Sequence, residues 1–251
     1  KILFFLHFLK FFNKKIFKYL NDRKDIFKKL ESTISKKEKY IWIHVASLGE
    51  YEQGLPVFKE IKSLYNNHKI VLSFFSSSGY DLRKENPIGD ITIYLPVDSL
   101  YNANRFINLI NPAIAIFVKY EFWPNMLIAL NEKNISVYSI CSVFTKNHYL
   151  FRWYGKWNLK IVAKSITHFF VQDQKSKENL NANNISNVSV VGDSRFDRVI
   201  DISKNKKSID FIEEFKKDKK LIVCGSTWPK DVELILDLSK KNPNLKIIIA
   251  P

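Results

Sequence analysis

From residue 40 onward the apolar and polar positions follow two alternating periods. Tyr40–Ala46 (YIWIHVA) is a continuous β-branched and aromatic run of strand length, whereas Leu55, Val57, Phe58, Ile61 and Leu64 recur at roughly helical spacing. The same change of period predicts strands at Lys69–Phe75, Asp90–Leu95, Ala113–Val118, Ile135–Ile140, Thr167–Gln172 and Val188–Val191. A second series begins with Lys220–Cys224 and Leu245–Ala250. Between them lie amphipathic stretches such as Ala103–Ile110, Asn125–Glu132, Leu150–Lys164 and Asp231–Ser239. Repeated βα units call for parallel strands covered by helices on both faces, the doubly wound α/β class.

The polar, lysine-rich stretch 201–219 contains little that can form a strand. It reads as a linker and helix between an αβ domain over 40–200 and the start of another at 220–251. Two parallel strands do not make a covered sheet, so the second domain is expected to be truncated at residue 251. No fixed-period internal repeat is found.

The first twenty residues, KILFFLHFLKFFNKKIFKYL, carry too many large apolar residues for the stripe of a soluble helix. Lys10, Lys14, Lys15 and Lys18 interrupt them too early for a spanning helix of about 20 apolar residues. A helix lying in a membrane interface with its lysines toward anionic headgroups fits both features, so 1–39 is read as a membrane-associating segment. The plain alternative is a helix packed on the domain.

Charge and cysteine content narrow the function. The chain has 251 residues, a net charge of +15 and two cysteines, Cys141 and Cys224, in no redox or ligand spacing. Residues 1–40 hold twelve Lys/Arg and four Asp/Glu, a net of +8, more than half of the total. There is no Arg-rich stripe or nucleic-acid motif, which argues against nucleic acid as a partner. The five histidines form no paired-ligand spacing, so neither a metal nor another cofactor is expected.

In doubly wound folds ligands collect at the carboxyl ends of strands, so the strand-exit loops are the places to search. The first is Ser47–Glu50 (SLGE). Ser47 and Gly49 suit a tight strand-to-helix turn, and Glu50 falls in the first helical turn, where the dipole favours an acid. Helix-start decoration and chemistry are both open for Glu50 on this pattern. Ser76–Asp81 (SSSGYD) offers hydroxyls and backbone N–H groups to an anion, or ordinary helix capping. Lys119–Asn125 (KYEFWPN) sets Lys119 and Glu121 beside an apolar strand, where a carboxylate needs a partner or a purpose. Val190–Val199 (VVGDSRFDRV) reads as a salt-bridged turn. Gly225–Asp231 (GSTWPKD) suits phosphate contact, although the P-loop and G-x-G-x-x-G patterns are absent.

Taken in order, IWIHVASLGEYEQGLP (41–56), FFSSSGYDLRK (74–84), YLPVDSLYNANRFINLINP (94–112) and FVKYEFWPN (117–125) resemble the 3-deoxy-D-manno-octulosonic acid (Kdo) transferase family, in a form similar to that of the Bacteroidetes. FRWYGKW (151–157), FVQDQKSKENL (170–180), VVGDSRFDRV (190–199) and CGSTWPKD (224–231) continue the resemblance. It implies a GT-B glycosyltransferase of two Rossmann-like domains, the second incomplete here, attached to the cytoplasmic face of the inner membrane. CMP-Kdo is the implied donor and a lipid A precursor the acceptor, with no metal. The family's general base maps onto Glu50, and Glu121 is the second catalytic candidate.

On the acceptor side the resemblance points to Ser47, Gly49, Ser77, Ser78, Gly79, Lys119 and Arg195, and on the donor side to Gly225, Ser226 and Thr227. Lys119 stands where many relatives carry an acid, and Thr145 where an arginine is expected. The family continues past IIIAP through an Arg-His motif and a Gly-rich segment, so the 251-residue chain is expected to be poorly active by itself. Two other readings are a GT-B transferase with another nucleotide-sugar donor and a non-catalytic domain binding anionic membranes.

Overall fold

The computed structural model describes residues 14–204 and 209–251, so most of the apolar, lysine-studded N-terminal stretch read as membrane-associating lies outside the described residues. The chain divides into two compact units, residues 1–201 and 202–251.

The first unit opens with α1 (Lys14–Asn21) and α2 (Ile26–Thr33). It continues as β1 (Lys39–Val45), α3 (Leu48–Leu64), β2 (His68–Phe74), α4 (Ser77–Arg83), β3 (Ile91–Tyr94), α5 (Leu100–Ile110), β4 (Ile114–Val118) and α6 (Pro124–Glu132). After β5 (Ser136–Ser142) come two 3-10 turns, then α7 (Lys156–Ser165), β6 (His168–Val171), α8 (Gln174–Asn181), β7 (Val188–Val190) and α9 (Arg195–Lys204). All seven strands are parallel, in the order β3-β2-β1-β4-β5-β6-β7.

The strands read as unbroken apolar runs because both faces of the sheet are covered. In β1, Ile41, Ile43 and Val45 face the core under α3 with Tyr51, Leu55 and Phe58. Tyr40 and Trp42 face the opposite core, with Phe106, Phe117, Leu127 and Leu130. That second core also takes Ile26 and Leu30 of α2, which are buried. Part of the segment expected to serve the membrane is therefore packed structure of this unit. Among the described residues no helix is long and apolar enough to cross a membrane.

The connection after β5 departs from the helical expectation over Leu150–Lys164. Tyr149–Phe151 and Trp153–Gly155 form the two 3-10 turns, and the α-helix begins only at Lys156. Gly155 explains the change: a Cβ there would lie 2.0 Å from the Tyr149 carbonyl oxygen, so the chain folds back on itself where only glycine fits. Similarly, the 190–199 stretch is a turn only to Ser194, after which α9 begins and runs on to Lys204.

The second unit contains α10 (Asp210–Lys216), β8 (Lys220–Gly225), α11 (Pro229–Lys241) and β9 (Leu245–Ala250). Its two strands pair in parallel.

Candidate functional site

Strand order decides where the site lies. From β1 the chain moves outward through β2 and β3, then returns to place β4 on the other side of β1. The loops leaving β1 and β4 diverge, and such a topological switch point is where open α/β sheets form a ligand crevice. The β1 loop carries Ser47, Gly49 and Glu50. The β4 loop carries Lys119 and Glu121.

Ser47 is the N-cap of α3, its hydroxyl accepting from the Glu50 N–H at 3.4 Å. Glu50 stands at the third helical position, as in a capping box, but its Oε2 accepts from the Ala46 N–H at 2.6 Å, one residue before the cap. This bond fixes the carboxyl at the strand exit. Oε1 takes no hydrogen bond among the described residues. Burial pushes the Glu50 carboxyl up to about 7; the Ala46 bond opposes the shift, Glu121 adds to it and Lys119 opposes it. Desolvation outweighs the helix dipole and the cap bond here.

The β4 exit is held from several sides. Lys119 has a left-handed backbone (φ 58°), uncommon for a non-glycine residue. Its N–H donates to the Ile140 carbonyl at 2.9 Å, and its carbonyl accepts from the Ser142 hydroxyl at 2.8 Å. Opposite it β5 bulges between Ser139 and Ser142, where Cys141 is also left-handed (φ 59°). Strain held by surrounding bonds is a common property of functional loops. Asp98, half-buried after β3, accepts from the Asn125 and Met126 N–H groups and caps α6, where Trp123 offers no side-chain cap.

Glu121 is 20% exposed, with Oε2 3.6 Å from Nε2 of the fully buried His44, too long for a hydrogen bond. The Trp123 indole N–H donates to that Nε2 at 3.0 Å, which leaves the ring proton on Nδ1, facing the Ser73 hydroxyl at 2.9 Å. Trp42 also donates to the Ser73 hydroxyl, at 2.8 Å. His44 and Ser73 are thus a polar spine within the apolar sheet, bracing the loop that bears Glu121.

The β2 exit adjoins the β1 exit. Ser76 caps α4 by accepting from the Gly79 N–H, and its hydroxyl lies 3.2 Å from that of Ser78; Ser77 opens the helix. A Cβ on Gly79 would meet the Leu48 backbone nitrogen at 2.9 Å, so glycine lets the two helix starts approach. Ser77, Ser78 and Gly79 therefore belong to the same edge as Ser47, Gly49 and Glu50. Arg195 is exposed and paired with Asp193, its Nε 2.7 Å from Oδ2. Asp193 is held well below the usual carboxylate range by that guanidinium. Ser194 donates to the Gln53 carbonyl at 2.6 Å and Arg198 pairs with Glu52 at 2.8 Å, which ties this segment to α3.

In the second unit Gly225 ends β8, Ser226 is left-handed (φ 55°), and the buried Thr227 hydroxyl has no partner among the described residues. A Cβ on Gly225 would meet nothing within 4 Å, so the turn is open. Among the described residues no group of three His, Cys, Asp or Glu could hold a metal ion. An apolar groove of about 660 Å³, lined by Ile41, Ile61, Ile114, Ile116, Tyr138 and Phe170 among others, contains none of Glu50, Lys119 and Glu121.

Sequence reasoning missed His44, Ser73 and Asp98. The available signal was the placing of polar residues in strands otherwise apolar on both faces, at His44 between Ile43 and Val45 and at Ser73 between Leu72 and Phe74.

The sequence profile described as 3-Deoxy-D-manno-octulosonic-acid transferase (kdotransferase) matches residues 20–198. A bifunctional glycosyltransferase/methyltransferase of Fusobacterium nucleatum subsp. nucleatum is 30% identical, covering 96% of this chain and 37% of its own length. The 3-deoxy-D-manno-octulosonic acid transferase of Aquifex aeolicus is 29% identical, covering 84% of this chain and 54% of its own. The chain thus spans about half the length, or less, of these relatives. Among solved structures, the UDP-GlcNAc 2-epimerase of Neisseria meningitidis bound to UDP-GlcNAc matches with a TM-score of 0.60 and 20% identity, covering 84% of this chain and 64% of that one. That likeness is one of fold, the GT-B fold.

Proposed function

Because the chain belongs to the 3-deoxy-D-manno-octulosonic-acid transferase family, we propose that it carries the acceptor side of a glycosyltransferase that moves Kdo from CMP-Kdo to a lipid A precursor, with Glu50 as general base. The supporting observation is the Glu50 carboxyl itself: fixed at the switch point through Oε2, with Oε1 left over, and raised by burial to about 7. A base works best when its pKa lies near the operating pH.

In the proposed reaction Oε1 takes the proton of the acceptor hydroxyl as that oxygen attacks the anomeric carbon of Kdo. The bond from this carbon to the CMP phosphate oxygen breaks, and CMP leaves with the electron pair. Glu121 orients the acceptor, Lys119 attracts its phosphates, and Ser47, Gly49, Ser77, Ser78, Gly79 and Arg195 line the acceptor side. Gly225, Ser226 and Thr227 serve the donor phosphate, through donors of the kind that stabilise a departing anion. The N-terminal segment places the protein on the cytoplasmic face of the inner membrane. The positive charge of the chain suits a donor, an acceptor and a bilayer surface that are all anionic.

A pH series of kcat/KM tests the base. The rate rises through about pH 7 and then levels, because only the ionised carboxyl accepts a proton. Lys119→Gln moves the midpoint up, since Lys119 favours the carboxylate, and Glu121→Gln moves it down. A midpoint that stays in place in both variants contradicts the assignment.

A further inference from the structure

Residues 133–172 contain six Lys/Arg and no Asp or Glu. Within this stretch the connection from β5 to α7 holds its aromatic residues out into solvent. Trp153 is 83% exposed, Tyr154 62% and Trp157 63%. Their foundation is firm. Leu150 is fully buried, Phe151 packs on the core, and the His148 ring lies 4.8 Å from Tyr120 and 5.1 Å from Phe144. The close approach at Gly155 fixes the fold-back, and Trp153 meets Tyr154 edge to face at 5.7 Å. A cluster of large exposed rings on a packed base marks a contact surface.

Charge indicates what is contacted. Arg152, Lys156 and Lys160 are exposed beside these rings, and none of them pairs with a carboxylate among the described residues. Trp and Tyr beside Lys and Arg is the composition of a bilayer interface, with amphipathic rings at headgroup depth and cations among anionic phosphates. The surface also adjoins the site: the His148 ring packs 4.8 Å from Tyr120, the residue beside Glu121 on the β4 loop. Leu100 and Tyr101, exposed at the start of α5, stand on the same carboxyl rim, since α5 packs beside α6 and α6 beside α7.

We propose that residues 149–160 form a docking shoulder that seats the carboxyl rim of the sheet on an anionic phospholipid surface, separately from the N-terminal segment. The inference deepens the membrane placement given above and rests on it. Its chemical logic is that a lipid-borne acceptor then meets Glu50 and Glu121 without leaving the bilayer.

The test is flotation of the protein with vesicles of phosphatidylcholine alone or with phosphatidylglycerol, free of acceptor. The protein floats with the phosphatidylglycerol vesicles, and added salt weakens the association. Replacing Arg152, Lys156 and Lys160 together by Gln lowers partitioning roughly 100-fold, from about a fivefold factor per charge. Lipids brominated in their acyl chains quench the tryptophan fluorescence, and the W153F/W157F variant loses that quenching. These side chains are exposed, so thermal melts of the variants stay unchanged. Undiminished flotation of the triple variant, undiminished quenching of W153F/W157F, or no flotation of the unsubstituted protein overturns the proposal. Flotation without Kdo transfer supports the surface while contradicting the proposed reaction.

Discussion

Glu50→Gln lowers the rate of Kdo transfer by about 10²- to 10⁴-fold, the usual contribution of a positioned general base. The amide keeps an oxygen that can accept the Ala46 N–H, so the turn and the acceptor side are preserved and KM changes little. The same substitution stabilises the fold. Burial raises the folded-state pKa of Glu50 from 4.5 to about 7, so between these values the folded protein holds a proton that the unfolded chain has lost. The advantage is fully present below about pH 4.5 and is gone once pH has risen through about 7. Above that, the buried carboxylate costs on the order of 1–3 kcal/mol, the full shift being discounted for partial exposure. Glu50→Gln therefore raises the melting temperature at pH 8 and has little effect at pH 4. A variant with normal kcat, or one less stable at pH 8, contradicts this view of the residue.

Arg23→Ala is the second large effect, and it acts on stability. Arg23 is buried at the carboxyl rim, donating to the carbonyl of Leu95 at 2.9 Å, that of Tyr19 at 3.0 Å and that of Phe75. Its guanidinium lies 3.8 Å from the centre of the Tyr19 ring and 5.0 Å from that of Tyr94. Burial lowers its pKa, and no carboxylate pairs with it among the described residues. Three carbonyls and three ring faces, that of Phe75 at 5.3 Å included, take the place of a counter-ion. Removing the side chain leaves those carbonyls without their donor and opens a hole, at a cost of about 3 kcal/mol. That corresponds to a fall in Tm of roughly 6–12 °C for a chain of this size. The loss also reaches the site, because Phe75 packs against Trp123 at 5.0 Å and Trp123 donates to His44. Arg23→Lys keeps the charge but not the three-way fork, and it recovers only part of the loss. Denaturant unfolding of both variants checks this, and a change within about 0.5 kcal/mol for Arg23→Ala contradicts it.

The strands were legible because a parallel sheet buried on both faces writes itself as apolar runs. Tyr40–Ala46 was expected, and β1 is Lys39–Val45; Leu245–Ala250 is β9 as read. Their order was not legible. Which strands neighbour β1 depends on packing far apart in sequence, yet that order sets the loops bearing Glu50 and Glu121 side by side at the switch point. Arg23 was hidden for a related reason. It sits in a lysine-rich segment read as membrane-associating, and its partners are the carbonyls of Phe75 and Leu95, which no side-chain pattern reveals. The 149–155 fold-back was missed because the helical spacing of Leu150, Leu159 and Val162 outweighed a single Gly155, whose role shows only through its contact with the Tyr149 carbonyl. Glu50 was open to two readings in the sequence. The structure shows the first, Oε2 serving the turn, and leaves Oε1 without a hydrogen bond among the described residues, where the proposed chemistry would use it.

The most direct test of the central claim is mass spectrometry of a lipid A precursor incubated with the full-length protein and, in separate reactions, CMP-Kdo, a UDP-sugar or a GDP-sugar. The expected result is one or more Kdo adducts with CMP-Kdo, their formation lost in the Glu50→Gln variant. A sugar adduct from a UDP- or GDP-sugar with none from CMP-Kdo, or a Kdo adduct formed equally well by the variant, would contradict it.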